Sequence, residues 1–325
     1  MEVKFIFFIL LINFYNIIKG ENILIILSFK AIKMETNITK NTKIIDIINN
    51  PIFGNYGRYI FPIHRQISSS LTIENLESIY TWYNYMKPER TIEIINYFIS
   101  QVKKGNKIFY DIYTDKEKQY DKSLKETGLF FFRGNPGQKF AIVNAGGAFS
   151  YVGAMHDSFP QALEISKRGF NAFALIYRQG GDNACRDLAR AISFIIKNKK
   201  ELNVDIDCYS LWGGSAGARM AAWLGSFGTK YFGEVDCPKA GTVIMQYTGL
   251  SEVNNDPPTY ANCGTDDWIA NYQVMNNRIN KIKKKGTDAM MEIFQGLPHG
   301  FGLGEGTVAE GWINNAINFW KKQMK

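Results

Sequence analysis

From Lys139 onward the chain alternates short apolar runs with amphipathic stretches, and that alternation restricts the fold more than any other feature. KFAIVN (139–144), NAFALIY (171–177), DCYSLW (207–212), GTVIMQY (241–247), TYANCG (259–264) and AMMEIFQ (289–295) read as strands. Between and after them, FPQALEISKRG (159–169), CRDLARAISFIIKN (185–198), SAGARMAAWLG (215–225), NYQVMNNRINKIKKKG (271–286) and VAEGWINNAINFWKKQ (308–323) read as helices. The strands are near-continuous apolar runs rather than alternating ones. That pattern predicts a mostly parallel sheet with helices on both faces. In such sheets, sites form at the carboxyl ends of the strands.

Upstream, KIFYDIY (107–113) and GLFFFRG (128–134) predict two more strands around a charged loop. Residues 73–104 predict two helices. ENLESIYTWYNYM carries aromatics at helical spacing, Pro88 interrupts, and ERTIEIINYFISQVKK follows with Ile92, Ile95, Phe98 and Ile99 on one face. The chain therefore divides into a helical N-terminal extension (34–106) and an α/β domain (107–325). Ahead of both, residues 1–33 contain the apolar run FIFFILLINFYNII, preceded by Lys4. Two readings stand: a signal or anchor, which implies export or membrane attachment, or a start-site artefact or disordered tail ahead of Met34, which implies a cytoplasmic protein.

Hydrophobic residues make up 46% and charged residues 21%, which excludes wholesale disorder. The net charge of +8 comes largely from lysines in short runs, such as Lys197, Lys199 and Lys200, or Lys283 to Lys285. They end helical patterns, where cations complement the dipole. No nucleic-acid module accompanies them, so nucleic acid is not an expected partner. Cys185, Cys208, Cys237 and Cys263 form no C-x-x-C pair, which argues for reduced thiols rather than a metal knuckle.

The chemistry concentrates in GGSAG (213–217), a G-x-S-x-G pattern between a strand and a helix. A tight turn there lifts the serine above the sheet, and its glycines allow close approach of neighbouring backbone. A serine hydroxyl needs a base to attack at neutral pH. Of three histidines, only His299 lies beyond Ser215, in the loop GLPHGFG after the last strand. His156, in GAMHDSF, is a candidate to line the substrate pocket, and His64 reads as structural. The acid belongs between Ser215 and His299. GTDDWIA (264–270) offers Asp266 and Asp267, and the spacing from Gly264 favours Asp267. NAGGAF (144–149) follows a strand directly, where backbone N–H groups of Gly146 and Gly147, with that of Ala216, can face an oxyanion. Arg219, one helical turn beyond Ser215, reads as a brace of the turn, as does Arg178 for its own loop. Trp268 is a candidate substrate contact, with core packing as the alternative.

These motifs — AGGAFSYVG, ALIYRQGG, YSLWGGSAGARMAAWLGS, VIMQYTG, NDPPTYANCGTDDWIA and GLPHGFGLG — make residues 107–325 resemble the α/β-hydrolase fold. More narrowly, the chain is similar to bacterial esterases of the acetyl-esterase or xylan-esterase-like type. In that group the first loop often reads P-G-G-G-Y; here alanine stands in place of the third glycine. The resemblance implies a Ser215–Asp267–His299 triad, a hole of Gly146, Gly147 and Ala216, no metal or organic cofactor, and hydrolysis of small-molecule short acyl esters, in some relatives acetyl groups on carbohydrate. Two alternatives are a peptidase of the prolyl-oligopeptidase type and a hydrolase fold that only binds a ligand.

Overall fold

The computed structural model describes residues 37–324. The apolar segment 1–33 and both readings of it lie outside the described residues.

Among the described residues, eight strands form a single sheet. They are β1 (Phe109–Tyr110), β2 (Gly128–Phe132), β3 (Lys139–Asn144), β4 (Asn171–Ile176), β5 (Asp205–Gly214), β6 (Thr242–Gln246), β7 (Thr259–Gly264) and β8 (Ala289–Phe294). Their spatial order is β1-β2-β4-β3-β5-β6-β7-β8. β2 runs antiparallel to β1 and β4, and every other pairing is parallel. A parallel pair needs a long crossover. Helices Phe159–Lys167, Gly181–Lys197, Ala216–Phe227 and Tyr272–Lys284 supply four of them, and Trp312–Lys322 follows β8.

The pleat shows why both faces need cover. Trp212 and Gly213 are consecutive in β5, so they point to opposite sides. Trp212 meets Trp312 and Trp320 of the last helix, with ring centroids 6.3 and 6.4 Å apart. Gly213 faces the other way, against Gly217 of the helix Ala216–Phe227. β2, β4, β6 and β7 are buried along their whole length, whereas β8, at the edge, is partly exposed.

Residues Lys40–Lys325 form one compact unit, so the segment ahead of β1 folds with the sheet. Its contribution differs from the two helices expected. The helix predicted over 74–86 is replaced by a short 3-10 turn, Leu76–Ile79, and an irregular strap. Trp82 and Tyr85 adopt φ of 73° and 64°. Left-handed residues cannot continue a right-handed helix. Tertiary bonds hold the strap instead: the Tyr151 hydroxyl donates to the carbonyl of Thr81 at 2.6 Å.

The second predicted helix forms, as Pro88–Lys103, but its buried face is Thr91, Ile94, Ile95 and Phe98. Ile92 and Ile99 are half-buried. Phe98 packs on Phe130, Phe132 and Phe159 at centroid distances of 5.2–5.4 Å. Full burial of such a ring contributes about 2–3 kcal/mol. The predicted strand over 107–113 shortens to Phe109–Tyr110. The charged loop after it holds a helix, Asp115–Tyr120, started by a capping box between Thr114 and Glu117.

Arg178 does brace its loop. Its guanidinium bonds Asp187 at 2.8 Å and reaches Asp121 and Ser123. His64 bonds Glu126 at 2.9 Å. The four cysteines are free, with Cys185, Cys237 and Cys263 buried and Cys208 half-buried.

Candidate active site

The parallel register brings the carboxyl ends of β3, β5, β6 and β7 to one rim: Asn144 lies opposite Gly213, Gly214 opposite Gln246, and Gln246 opposite Asn262. Ser215 leaves β5 at that rim with φ 52° and ψ −115° before the helix starts at Ala216. Such backbone in a non-glycine residue costs on the order of 1–3 kcal/mol. The turn is tight enough to dictate its flanks. A Cβ on Gly217 would lie 1.9 Å from the carbonyl oxygen of Asn144, and one on Gly213 would lie 2.3 Å from the carbonyl of Gly217. Both must be glycine for β5, β3 and the helix to approach as they do.

His299 arrives from the loop after β8. Its Nε2 is 3.0 Å from Ser215 Oγ, and its Nδ1 is 2.8 Å from Asp267 Oδ2. Asp267 and His299 are buried. The other carboxylate oxygen of Asp267 accepts the N–H groups of Ile269 and Ala270 at 2.9 and 2.7 Å. Those two bonds aim Oδ2 at the imidazole. Asp266 instead bonds its neighbour Thr265 at the surface. The structure therefore brings Ser215, His299 and Asp267 into one hydrogen-bonded chain and leaves Asp266 outside it.

Ser215 and His299 open into a cavity of about 360 Å³ lined also by Trp82, Tyr83, Gly147, Ala148, Trp268 and Ile269. Trp268 is 76% exposed at this site, so it is not a core residue. His156 is not among the lining residues. It is buried, and its Nε2 lies 2.9 Å from the carbonyl oxygen of Gly300. Burial pushes its pKa down to about 4, so the ring is neutral at pH 7. A carbonyl only accepts, so Nε2 carries the proton and donates.

The expected oxyanion loop needs one correction. The Gly146 N–H donates to the carboxylate of Asp157 at 2.7 Å and is not free to meet a substrate. Gly147 and Ala148, the next two residues, line the cavity. Their N–H groups have no acceptor among the described residues. Ala216 opens its helix, so its N–H is one of the donors that a helix start leaves unpaired. Arg219 also differs from expectation: among the described residues its guanidinium makes no hydrogen bond or ion pair.

The BD-FAE family model matches residues 135–249, a stretch that contains the 146–148 loop and Ser215 but ends before Asp267 and His299. No curated protein matches the sequence significantly. Solved structures do. The Est2 esterase of the planctomycete Thermogutta terrifontis, with propionate bound, superposes with a TM-score of 0.53 at 19% identity, over 60% of this chain and 89% of that one. An acetyl ester-xyloside bifunctional hydrolase from Caldicellulosiruptor lactoaceticus gives 0.53 at 20% identity, over 60% and 88%. MGS-M1, an α/β hydrolase from a Medee basin deep-sea metagenome library, gives 0.53 at 17% identity, over 61% and 93%. The chain has the α/β-hydrolase fold.

Around the strand ends of this α/β-hydrolase fold stand residues that the sequence reading passed over. Asn84, in the strap, donates its backbone N–H to the carbonyl of Gly300 at 3.0 Å and its side-chain amide to the carbonyl of His299 at 2.8 Å. Trp82 stacks on Tyr151 at a centroid distance of 6.0 Å and lines the cavity. Asp157, beside His156 in sequence, is buried under the 146–148 loop. Burial raises its carboxyl pKa to about 6, against hydrogen bonds from Tyr247, the Gly146 N–H and Tyr83 that favour the ionised form. A carboxyl raised from 3.8 to about 6 on folding stabilises the fold below its unfolded pKa, and that contribution is lost as pH rises through about 6. Keeping it ionised at neutral pH costs about 3 kcal/mol relative to an exposed carboxylate. No short motif marks these positions, because each acts through a partner distant in sequence.

Proposed function

We propose that the protein is a serine esterase, a carboxylic ester hydrolase that cleaves short acyl, in particular acetyl, esters through an acyl-enzyme. The observation that carries this reading is the chain of contacts from Ser215 Oγ through His299 to Asp267, 3.0 and 2.8 Å long, opening on a cavity. In the proposed reaction His299 Nε2 takes the Ser215 proton as Oγ attacks the ester carbonyl carbon. Asp267 keeps the imidazole in the tautomer with its proton on Nδ1 and stabilises the imidazolium that forms. The oxyanion is met by the N–H of Ala216 and by those of Gly147 and Ala148, each good donor supplying about 2.7–4 kcal/mol. The carbon–oxygen bond to the alcohol then breaks, and His299 returns the proton to the leaving oxygen. Water, deprotonated by the same imidazole, attacks the acyl-enzyme and releases the acid.

A short acyl preference is supported by the closeness of the 146–148 loop to Ser215: a Cβ on Gly146 would lie 2.8 Å from the serine Cβ. Trp82 and Trp268 supply flat apolar surface for the larger part of a substrate, including the face of a sugar ring. A series of p-nitrophenyl esters from acetate to octanoate, run beside acetylated xylo-oligosaccharides, tests both points. The expected result is highest kcat/KM at acetate to butyrate, with acetate released from the oligosaccharides. A maximum at octanoate overturns the acyl assignment, and no acetate release overturns the carbohydrate one.

A further inference from the structure

One buried carboxylate outside the Ser215–His299–Asp267 chain is held from several elements at once. Asp157 Oδ2 accepts the Gly146 N–H at 2.7 Å and the Tyr83 hydroxyl at 3.3 Å. Its Oδ1 accepts the Tyr247 hydroxyl. A Cβ on Gly214 would lie 2.4 Å from Oδ1, so the carboxylate also rests against the backbone that immediately precedes Ser215. The Tyr247 ring meets the His299 ring edge-on, centroids 5.1 Å apart. Asp157 thus touches the oxyanion loop and the serine turn directly, and the imidazole through Tyr247.

We propose that Asp157 is a positioning residue that sets the oxyanion loop against the Ser215 turn, and that only its ionised form does so. The inference rests on the esterase reading above. Its logic is one of donors and acceptors. An ionised carboxylate only accepts, and here it faces two hydroxyls and one amide N–H. The Gly146 N–H cannot turn away without rotating the peptide that leads into Gly147 and Ala148. A protonated carboxyl must give its proton to one of the two hydroxyls, which then reverses its role and no longer donates to Asp157. The uncharged group is also a weaker acceptor, so the Gly146 N–H, and the loop with it, is held less firmly. The same burial that makes the contacts exclusive raises the Asp157 pKa to about 6.

The titratable groups facing Asp157 are Tyr83 from the strap, Tyr151, Tyr177, Tyr247 and His299. Burial pushes the ionisation of all four tyrosines up. The four tyrosines therefore stay protonated throughout the acid and neutral range.

The test is Asp157→Asn in the full chain, with rates expressed per active site titrated by a fluorophosphonate. For p-nitrophenyl acetate, kcat is expected to fall about 10- to 100-fold with KM within about twofold, because the donors matter most for the oxyanion. Affinity for an alkyl trifluoromethyl ketone, which forms an oxyanion on Ser215, is expected to fall by the same factor as kcat/KM. The acid limb of kcat/KM is expected to lose the contribution of one proton. Unchanged kcat per titrated site, or an unchanged acid limb, overturns the proposal. If the Asp157→Asn chain does not fold, Tyr247→Phe decides. It keeps the carboxylate, removes one hydrogen bond that favours its ionised form, and is expected to move the acid limb to higher pH. An unmoved limb overturns the proposal. Failure of the esterase reading is a separate result, since the wild-type chain would then neither react with the fluorophosphonate nor turn over the ester.

Discussion

Ser215→Ala is expected to lower kcat for p-nitrophenyl acetate by about 10⁴- to 10⁶-fold, the range seen when a hydrolase triad loses its nucleophile. The residue removed is one hydroxyl, 3.0 Å from His299 Nε2. The strained turn is set by close approaches at Gly213 and Gly217 rather than by the serine side chain. The fold should therefore survive, and the far-UV circular dichroism and melting temperature should match wild type. The residual rate should remain above the uncatalysed one, because the Gly147, Ala148 and Ala216 N–H groups stay in place to stabilise an oxyanion formed by attack of water. Activity within tenfold of wild type would remove Ser215 from the reaction.

The second large effect separates two adjacent carboxylates. Asp267→Asn is expected to lower kcat by about 10⁴-fold with the fold intact, because an amide NH₂ facing His299 Nδ1 stabilises the wrong tautomer. Asp266→Asn is expected to leave kcat within about twofold, since the Asp266 carboxylate bonds the Thr265 hydroxyl at the surface and does not reach His299. Steady-state kinetics on the two variants, prepared together, check the pair. Equal effects, or a larger loss at Asp266, would contradict the geometry in which Ile269 and Ala270 aim Asp267 at the imidazole.

The parts of the fold legible in the sequence are those that depend on local pattern. Apolar runs bounded by turns marked the strands from β2 to β8, and G-x-S-x-G between KFAIVN-type runs and an alanine-rich helix marked the turn at Ser215. His299 and Asp267 were reachable because order along the chain and the scarcity of histidine narrow the choice. The misreadings have a common cause. TWYNY carries aromatics at helical spacing, but Tyr83 is drawn toward Asp157, Trp82 onto Tyr151 and Asn84 onto the His299 loop. Those long-range bonds outweigh local helix propensity and impose left-handed backbone at Trp82 and Tyr85. The same blindness to distant partners explains Gly146. As sequence it is an oxyanion-loop glycine. In space its N–H belongs to Asp157, and the open donors shift to Gly147 and Ala148. His156 drew attention as a histidine beside the loop, while the residue that reaches the loop is its neighbour. The charged stretch before β2 reads as a loop, yet it holds the helix Asp115–Tyr120, whose local signal is the capping-box spacing of Thr114 and Glu117.

The central claim is that an activated hydroxyl at Ser215 performs the chemistry. Incubating the full chain with a fluorophosphonate and mapping the adduct by peptide mass spectrometry tests it most directly. One adduct per chain is expected, on Ser215, appearing in step with loss of esterase activity and abolished by Ser215→Ala. An inactivated enzyme whose adduct sits on another residue, or a Ser215 that stays unlabelled while ester turnover continues, would contradict it.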